Sequence, residues 1–433
     1  MAMVVKNNMG AVRTLNTLNQ NSTALQKSLT KVASGMKING AQDDAAGYAI
    51  SERMRVRIRS LDQANQNSQN DSALMKTAEG AVANTIEILK ALKEKAINAA
   101  NDSNTDEDRQ TIQKEIDQFI DQVDDNALVQ FNGKYLVDGS KNNAFEASKT
   151  ILLNQSLATG TAGISMLTQL KNRAGDSLEI QSTDYYTVSW VQNGKIATTS
   201  AQVSTNTTLA GLLSLGSIGS LVSGNSAVNL GTDKFKVAVY TPDKTAGIAI
   251  VALTAGVSNQ VSGFTISITD AQGNVKKAAN AALDQFKQYQ RAENKTGDKA
   301  LTFHVGSEAN VAIKVGMGDM RAEALGLKGN TGERILVTTK ENANASINVI
   351  ENALTKALDQ QTTIGAIEAR LEYTSANLTT SSENVQASES TIRDADMAKE
   401  MTNYTKNNVL LQSAQAMLAQ ANQNSSAVLS LLQ

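Results

Sequence analysis

The chain has no cysteine, one proline (Pro242), one histidine (His304), and aromatic residues at only 4% of its 433 positions. Without cysteine there is no disulfide, no thiolate nucleophile and no thiolate metal site. One histidine cannot supply the paired ring nitrogens of a zinc-hydrolase helix, and His304 reads instead as a structural residue of a strand-like run. So few rings argue against an aromatic-lined ligand pocket. No Gly-rich phosphate loop and no Ser-His-Asp set is visible. The acidic pair Asp43-Asp44 follows an Asn39-Gly40 turn, where turn or helix-cap chemistry accounts for it. The net charge of −2 gives no electrostatic case for nucleic acid. No run approaches the roughly 18 apolar residues of a membrane span. The sequence therefore assigns no catalytic, cofactor-binding or metal-ligating residue, and an enzyme is not expected.

What the chain does have is helix periodicity at both ends. Hydrophobic residues reach 41%, enough for packed cores. Ala11, Leu15, Leu18, Ser22, Leu25, Leu29, Val32 and Met36 step by four and three in alternation, which predicts one heptad seam along a helix over 5–34. Such a helix is about 45 Å long. Gly35 and Asn39-Gly40 then break it. Met397, Met401, Tyr404, Asn408 and Leu411 set a second seam. Ala414, Leu418, Ala421, Ser425, Val428 and Leu432 resume it after a three-residue insertion, a local overwinding. Residues 1–42 carry Lys6, Arg13, Lys27, Lys31 and Lys37 and no acid, a pattern that out of context resembles an organelle transit peptide. A transit peptide has no counterpart at the far end. Here there is one, and two seams at opposite ends of a chain have their simplest partner in each other.

Further helical stretches lie inside the seams. Ile50, Met54, Ile58 and Leu61 begin one, and Val82, Ile86, Leu89, Leu92 and Ala96 mark the next. Ile112, Ile116, Phe119, Ile120 and Val123 mark a third, opened by the acidic turn Asp106-Glu107-Asp108 that suits a helix N-terminus. Ile347, Ile350, Leu354, Leu358, Ile364, Ile367, Leu371 and Leu378 predict one long helix. Between about 141 and 300 the pattern changes, with frequent Gly, Ser and Thr and alternating runs at 186–191, 235–240 and 264–268 that read as strands. A short helix is expected from Ala279 to Arg291. The predicted fold class is mainly α: a long antiparallel helical coiled coil or bundle built from both chain ends, with a small β-element and an inserted α+β outer domain. Its expected domains are 1–40 with 395–433, 41–140 with 301–394, and 141–300.

From Asn407 to Gln433 there is no charged side chain. A solvated coiled coil carries Lys and Glu on its flanks, so a long polar but uncharged helix implies covered faces. A monomeric hairpin with a quiet polar face is one explanation. A homopolymer is the other, because there each charge would sit near its own copy.

The motifs bear on this choice. The run Val32 to Ser51, with Ser34-Gly35, Asn39, Asp43-Asp44-Ala45 and Gly47, resembles the N-terminal signature of the bacterial flagellins. Thr77 to Ala81, Phe131 to Ser140, Leu301 to Val305, Gly318 to Leu327 and Ile364 to Glu372 fit the same family in the same order. So do Ile392 to Met397, with Asp394 and Asp396, and Leu418 to Leu432. The resemblance covers about 1–140 and 301–433, and only loosely 141–300. It implies a structural protein polymerising into the extracellular flagellar filament that propels swimming, with terminal helices lining a central channel, a helical wall around them and 141–300 projecting outward. It implies Leu15, Leu18, Leu25, Leu29, Val32, Leu411, Leu418, Val428 and Leu432 as the polymerisation seam, ordering as copies join. Export unfolded through the flagellar type III apparatus without a cleavable signal, assembly at the filament tip, an export chaperone, a filament cap and hook-junction proteins are implied as well. The family's usual proline near the C-terminus is absent; Asn424-Ser425-Ser426 stands there.

One segment departs from the family in a way that bears on a partner. In flagellins detected by a vertebrate Toll-like receptor, the stretch similar to Leu89–Asn101 carries an arginine where this chain has Ala91. Glu94 is kept, and Lys95 replaces an apolar residue. Downstream, Glu115 is kept and Phe119 replaces a second arginine. The resemblance thus implies a weakened receptor segment, since arginines are frequent hot spots. A hook–filament junction protein shares the terminal-helix logic and is the nearest rival reading, while the Ser and Thr of the outer domain leave an adhesive or glycosylated role open.

Overall fold

A computed structural model describes residues 8–214, 219–224, 229–242 and 246–430. They divide into two compact units, one within 1–68, 304–311 and 373–433 and the other within 69–303 and 312–372. The divisions near 68 and 373 fall inside helices. Helix α1 (Met9–Ser34), α2 (Ala45–Ala99), α3 (Asp106–Ala127), α7 (Lys340–Arg393) and α8 (Met397–Ser430) carry the architecture. Two helices expected over 50–96 are one. The polar stretch between Leu61 and Val82 holds no proline or turn pair, and Gly80 faces open space, so nothing ends the helix there.

In the first unit α1 runs beside α8, and Leu61 and Ala64 of α2 bury against Leu378 of α7. Polar bonds flank that small core: Ser375 Oγ donates to Asn65 Oδ1 at 2.6 Å and Ser382 Oγ to Asp62 Oδ1 at 3.0 Å. His304 ends a short strand, exposed, its carbonyl accepting from Asn67 Nδ2 at 3.3 Å.

The second unit starts from a sharp corner between α2 and α3. Thr105 and Asp108 form a reciprocal capping box, and the backbone N–H of Thr105 holds the Asp108 carboxyl below its ordinary range. Arg109 is buried and donates to the Ala99 and Asn101 carbonyls, which satisfies acceptors left over at the end of α2. Gln113 then receives Val337 N–H at 2.7 Å and donates to Ile335 O at 3.0 Å, stitching α3 to the segment ahead of α7. The β-turn element follows: β1 (Gln130–Phe131) and β2 (Lys134–Tyr135) joined by Asn132-Gly133, both at positive φ as a tight hairpin requires.

The chain enters the inserted region alongside the segment by which it later leaves, the two joined by isolated antiparallel bridges. Lys299 N–H bonds Asn142 O at 3.1 Å, Phe145 and Thr296 exchange both backbone bonds, and Met317 N–H bonds Lys141 O at 2.9 Å. Inside are two antiparallel sheets. One has the order β10-β4-β5, with β4 (Tyr185–Gln192), β5 (Lys195–Gln202) and β10 (Val261–Thr269). The other has the order β11-β3-β9-β6, with β3 (Ile151–Asn154), β6 (Gly219–Gly224), β9 (Gly247–Ala252) and β11 (Lys287–Gln290). Leu152, Ile250, Val188, Trp190, Phe264, Ile266 and Phe286 share one core, with Phe264 and Phe286 edge to face at 5.1 Å.

Two expectations within the insert are corrected. The helix begun near Ala279 is α5 (Lys277–Leu283) and stops there, because Asn154 Nδ2 takes up the Ala282 and Leu283 carbonyls. Phe286 then turns into the core and 287–290 becomes strand β11. The run 235–240 is strand only in β8 (Ala238–Tyr240), which pairs with β7 (Asn229–Thr232). Asp233 Oδ1 accepts from both Phe235 and Val237 N–H at 2.8 Å with Lys236 at φ 65°, an Asx-type turn that bends the run and leaves Phe235 and Val237 exposed.

The insert does not merely hang from its two connecting segments. Asn348 and Asn352 of α7 donate to the Phe264 and Ser262 carbonyls of β10, and a Cβ on Gly263 would lie 2.9 Å from Ala345 O. The β4–β5 turn, Asn193-Gly194, seats on Gly329-Asn330: Asn193 and Asn330 exchange bonds at 2.7 and 2.9 Å. A Cβ on Gly329 would fall 2.0 Å from the Asn193 carbonyl oxygen. Gly329→Ala is therefore expected to cost about 1–3 kcal/mol. Amide exchange at Asn330 should rise accordingly, whereas an unchanged exchange rate there would contradict the seating described.

Candidate functional site

Helices α1 and α8 lie side by side in opposite directions. Asn8 Nδ2 donates to Ala421 O at 3.1 Å, Asn21 Nδ2 to Leu410 O at 3.2 Å and Asn407 Nδ2 to Ser28 Oγ at 3.0 Å, so rising numbers on one helix meet falling numbers on the other. The covered face of α1 runs Ala11, Thr14, Leu18, Asn21, Leu25, Ser28, Val32, in alternating steps of three and four. Leu18, Leu25 and Val32 belong to the expected seam. Leu15 and Leu29, expected in the same seam, lie off this face at 45% and 50% exposed, and Thr14, Asn21 and the buried Ser28 hold the positions between. Small and hydrogen-bonding residues let the two backbones approach and bond across the seam, which leucines there would prevent.

Helix α8 shows the same rule. Glu400, Tyr404, Asn407, Leu411, Ala414, Leu418 and Ala421 are covered in a four-three alternation. Asn403 and the expected Asn408 are half-buried beside them, while Met397 and Met401 face outward. Leu411 and Leu418 are half-buried and Ala414 is buried. Val428 lies in the last turns of α8 with its side chain outside the described residues, and Leu432 lies outside them altogether.

The motif residues build the joint beside this pair. Gly35 caps α1 in the left-handed conformation at φ 72°, Met36 N–H bonds Ser34 Oγ at 3.2 Å, and Met36 bridges to Asp394. Asp43 Oδ2 accepts Asn39 N–H at 3.1 Å. Asp44 Oδ1 accepts Ala46 and Gly47 N–H at 3.0 Å, capping α2 just ahead of Ala45. A Cβ on Gly47 would stand 2.5 Å from Asp44 Oδ2 and 2.8 Å from the buried Ile38, so only glycine passes. Asp394 accepts from Ser390 Oγ, and Asp396 caps α8 through Ala398 and Lys399 N–H.

Sequence reasoning gave no role to the residue at the centre of this joint. Arg393 is 6% exposed, donates to Glu52 Oε1 at 2.6 Å, and lies over the Tyr48 ring at 5.5 Å. Its carbonyl accepts Lys37 N–H at 2.7 Å, and Ala395 N–H bonds Gly35 O at 2.9 Å. The guanidinium bond holds the Glu52 carboxyl below its ordinary range. A signal was available, since Arg393 is the only basic residue between Arg370 and Lys399.

In the receptor-like segment, Leu89 is fully buried and can reach no partner. Glu94 and Glu115 are exposed, Ala91 and Phe119 half-buried, and Lys95 is engaged by Glu115 at 2.5 Å. Among the described residues no group of three His, Cys, Asp or Glu is placed to hold a metal ion, and no helix is long and apolar enough to cross a membrane.

The bacterial flagellin N-terminal helical region matches residues 5–142, and the C-terminal helical region matches 347–432. A flagellin of Clostridium tyrobutyricum is 34% identical over 97% of this chain and 99% of its own length. The chain belongs to the bacterial flagellin family. A flagellin of Bacillus subtilis is 30% identical over 99% of this chain and all of its own length. Among solved structures, the flagellar hook associated protein-3 of Legionella pneumophila covers 78% of this chain and 97% of its own at 17% identity, with a TM-score of 0.34. Flagellins are structural subunits of the flagellar filament and not enzymes, and that is this chain's function. Its helical ends and strand-containing middle are those of the family.

Proposed function

We propose that the outward faces of α1 and α8 are the surfaces through which copies of this flagellin join. The observation that supports this is apolar surface on a pair whose second helix carries no charge from 407 onward: Val12, Leu15 and Leu29 on α1, and Val409, Leu410 and Met417 on α8, the last 62% exposed. Nothing in a solitary chain explains why a helix without charge from 407 onward should turn large apolar side chains to water. In a polymer those side chains meet the next subunit. On this reading residues 1–40 and 395–433 form the inner layer, 41–140 and 301–394 the wall, and 141–300 the outer surface. Unfolded export, growth at the filament tip, an extracellular filament, and an export chaperone, cap and hook-junction protein as partners follow from the same reading. Seeding the purified full chain and viewing it by electron microscopy tests the central point. Long filaments are expected, and a chain that stays monomeric under seeding and salting-out would remove the reading.

The receptor segment belongs to this proposal as a weakened contact. Glu94 remains available at the surface, but Ala91 and Phe119 offer no guanidinium, and Lys95 and Glu115 are already paired with each other. The chain is expected to stimulate Toll-like receptor reporter cells poorly. Ala91→Arg should raise the signal on the order of tenfold, the size of one recovered hot spot. Equal signals from both chains would exclude the segment.

A further inference from the structure

The sheet β10-β4-β5 has two edges, and only one is closed. Along β10 the carbonyls of Ser262 and Phe264 accept side-chain amides from α7, and Gly263 lets the helix approach. Along β5 the eight residues Lys195 to Gln202 pair with β4 in unbroken register from Gln192↔Lys195 to Tyr185↔Gln202. On its far side β5 has no backbone hydrogen bond among the described residues.

Natural edge strands are protected by charge, proline or a bulge. The β5 edge has none of these: the sheet's bulge lies in β10 at the opposite edge, and the one charge of β5, Lys195, is held by Glu333 at 2.8 Å. A two-residue turn closes the hairpin, so Lys195, Ala197, Thr199 and Ala201 spend their backbone groups on β4. Ile196, Thr198, Ser200 and Gln202 point theirs outward. The exposed side chains at 198 and 200 are hydroxyls, tied to Ser189 and Thr187 at 3.0 and 2.9 Å.

We propose that the β5 edge pairs antiparallel with the β5 edge of a second copy of this chain, holding flagellar filaments side by side. The proposal rests on the outward placement of residues 141–300. The edge is self-complementary. With Thr198 opposite its own copy, Ile196 faces Ser200 and Lys195 faces Ala201, so no charge meets its like. A strand pairing with itself needs a two-fold axis. Neighbours within one filament of identical asymmetric chains all point the same way and have no such axis between them. Two filaments of opposite polarity laid together do. The pairing therefore acts between filaments and not within one.

Assembled filaments of the full chain test this. Low-speed sedimentation and microscopy should show bundles. Amide exchange at Ile196, Thr198 and Ser200 should slow in bundles relative to monomer. Thr198→Pro removes an outward N–H while leaving the backbone bonds to β4 in place, and its only other loss is the hydroxyl contact with Ser189. It should give single filaments with lateral association weakened on the order of tenfold or more, since each pair loses two bonds. Because the chain has no cysteine, Thr198→Cys, Thr199→Cys and Ser200→Cys give readable cross-links, and only the residue on the two-fold should form dimers under oxidant. Unchanged exchange and no bundles in the unmodified chain would overturn the pairing. Slowed exchange in filaments that stay single would also overturn it, by showing that a different strand of a neighbour covers the edge. Maleimide labelling of Ala271→Cys, at an exposed turn of the same region, separates the two readings. Failure to label intact filaments refutes the outward placement and the pairing with it, while labelling without bundles refutes the pairing alone.

Discussion

A chain ended at Asn403 will form no filaments under conditions where the full chain forms long ones. The missing residues carry the whole uncharged stretch and nearly all of the covered face of α8, from Tyr404 through Leu411, Ala414 and Leu418 to Ala421. They also carry every partner of α1 named above: Asn407 for Ser28, the Leu410 carbonyl for Asn21, and the Ala421 carbonyl for Asn8. Without them Leu18, Leu25 and Val32 have no surface to pack on. An isolated helix of 26 residues with that composition is marginal in water. Both the intramolecular pair and the outward apolar face are thus lost in one step, and the defect should be complete. The remaining chain should still fold through its second unit, shown by intact circular dichroism from the sheets and from α3. Filaments from the truncated chain at normal length would show that α1 and α8 do not drive assembly.

Arg393→Ala should loosen the joint between α1 and α8 without unfolding the chain. The guanidinium donates a charge-assisted bond to Glu52 and covers Tyr48, and its removal is expected to cost about 2 kcal/mol locally. The full penalty of a broken buried ion pair is not expected, because the Glu52 side chain left behind is 40% exposed and can rehydrate. The readout lies at the amides of Lys37 and Ala395, which bond across the joint. Their exchange should accelerate by roughly 30-fold, the factor equivalent to that energy. Arg393→Lys keeps the charge but not the fork, and should fall between. The Glu52 carboxyl supplies a second, pH-dependent check. Its native form binds a proton less readily than the unfolded form, so the contact adds stability above the ordinary carboxylate range. That stability is lost as pH falls through the lowered native value. In Arg393→Ala the carboxyl should titrate closer to its ordinary range, with Arg55 still beside it, and an unmoved titration would mean that Arg393 does not set it.

The helices were legible because a period of three and four survives in Leu18, Leu25, Val32, Leu411 and Leu418 whatever lies between them. Which of two adjacent heptad faces is buried was not legible. Leu15 and Leu29 are the more apolar choice, yet Thr14, Asn21 and Ser28 are taken, because close approach of two backbones is decided by size and hydrogen bonding across the gap. Apolarity alone sees one chain's needs, and here the leucines are left for another surface. The turn chemistry at Asp44 and Gly35 was readable from residue type, whereas Arg393 was not, since its partners Tyr48 and Glu52 stand over 340 positions away. In the insert, Asn154 ending α5 and Asp233 bending 235–240 are single side-chain bonds, and periodicity carries no trace of such bonds.

The bridged segments at which the insert is entered and left have a consequence for how much protein the scaffold can hold. Because Asn142 and Lys299 are already hydrogen-bonded neighbours, the backbone closes there whatever the length of chain beyond, and the framework needs from the insert only its seats on α7 and on Gly329-Asn330. A loop, a whole foreign domain or nothing but a tight turn presents the same two adjacent ends. The cost of closing longer chain rises only with the logarithm of its length. Chain added beyond those seats is thereby uncoupled from the framework that carries it, and its practical limit becomes the space available to each copy.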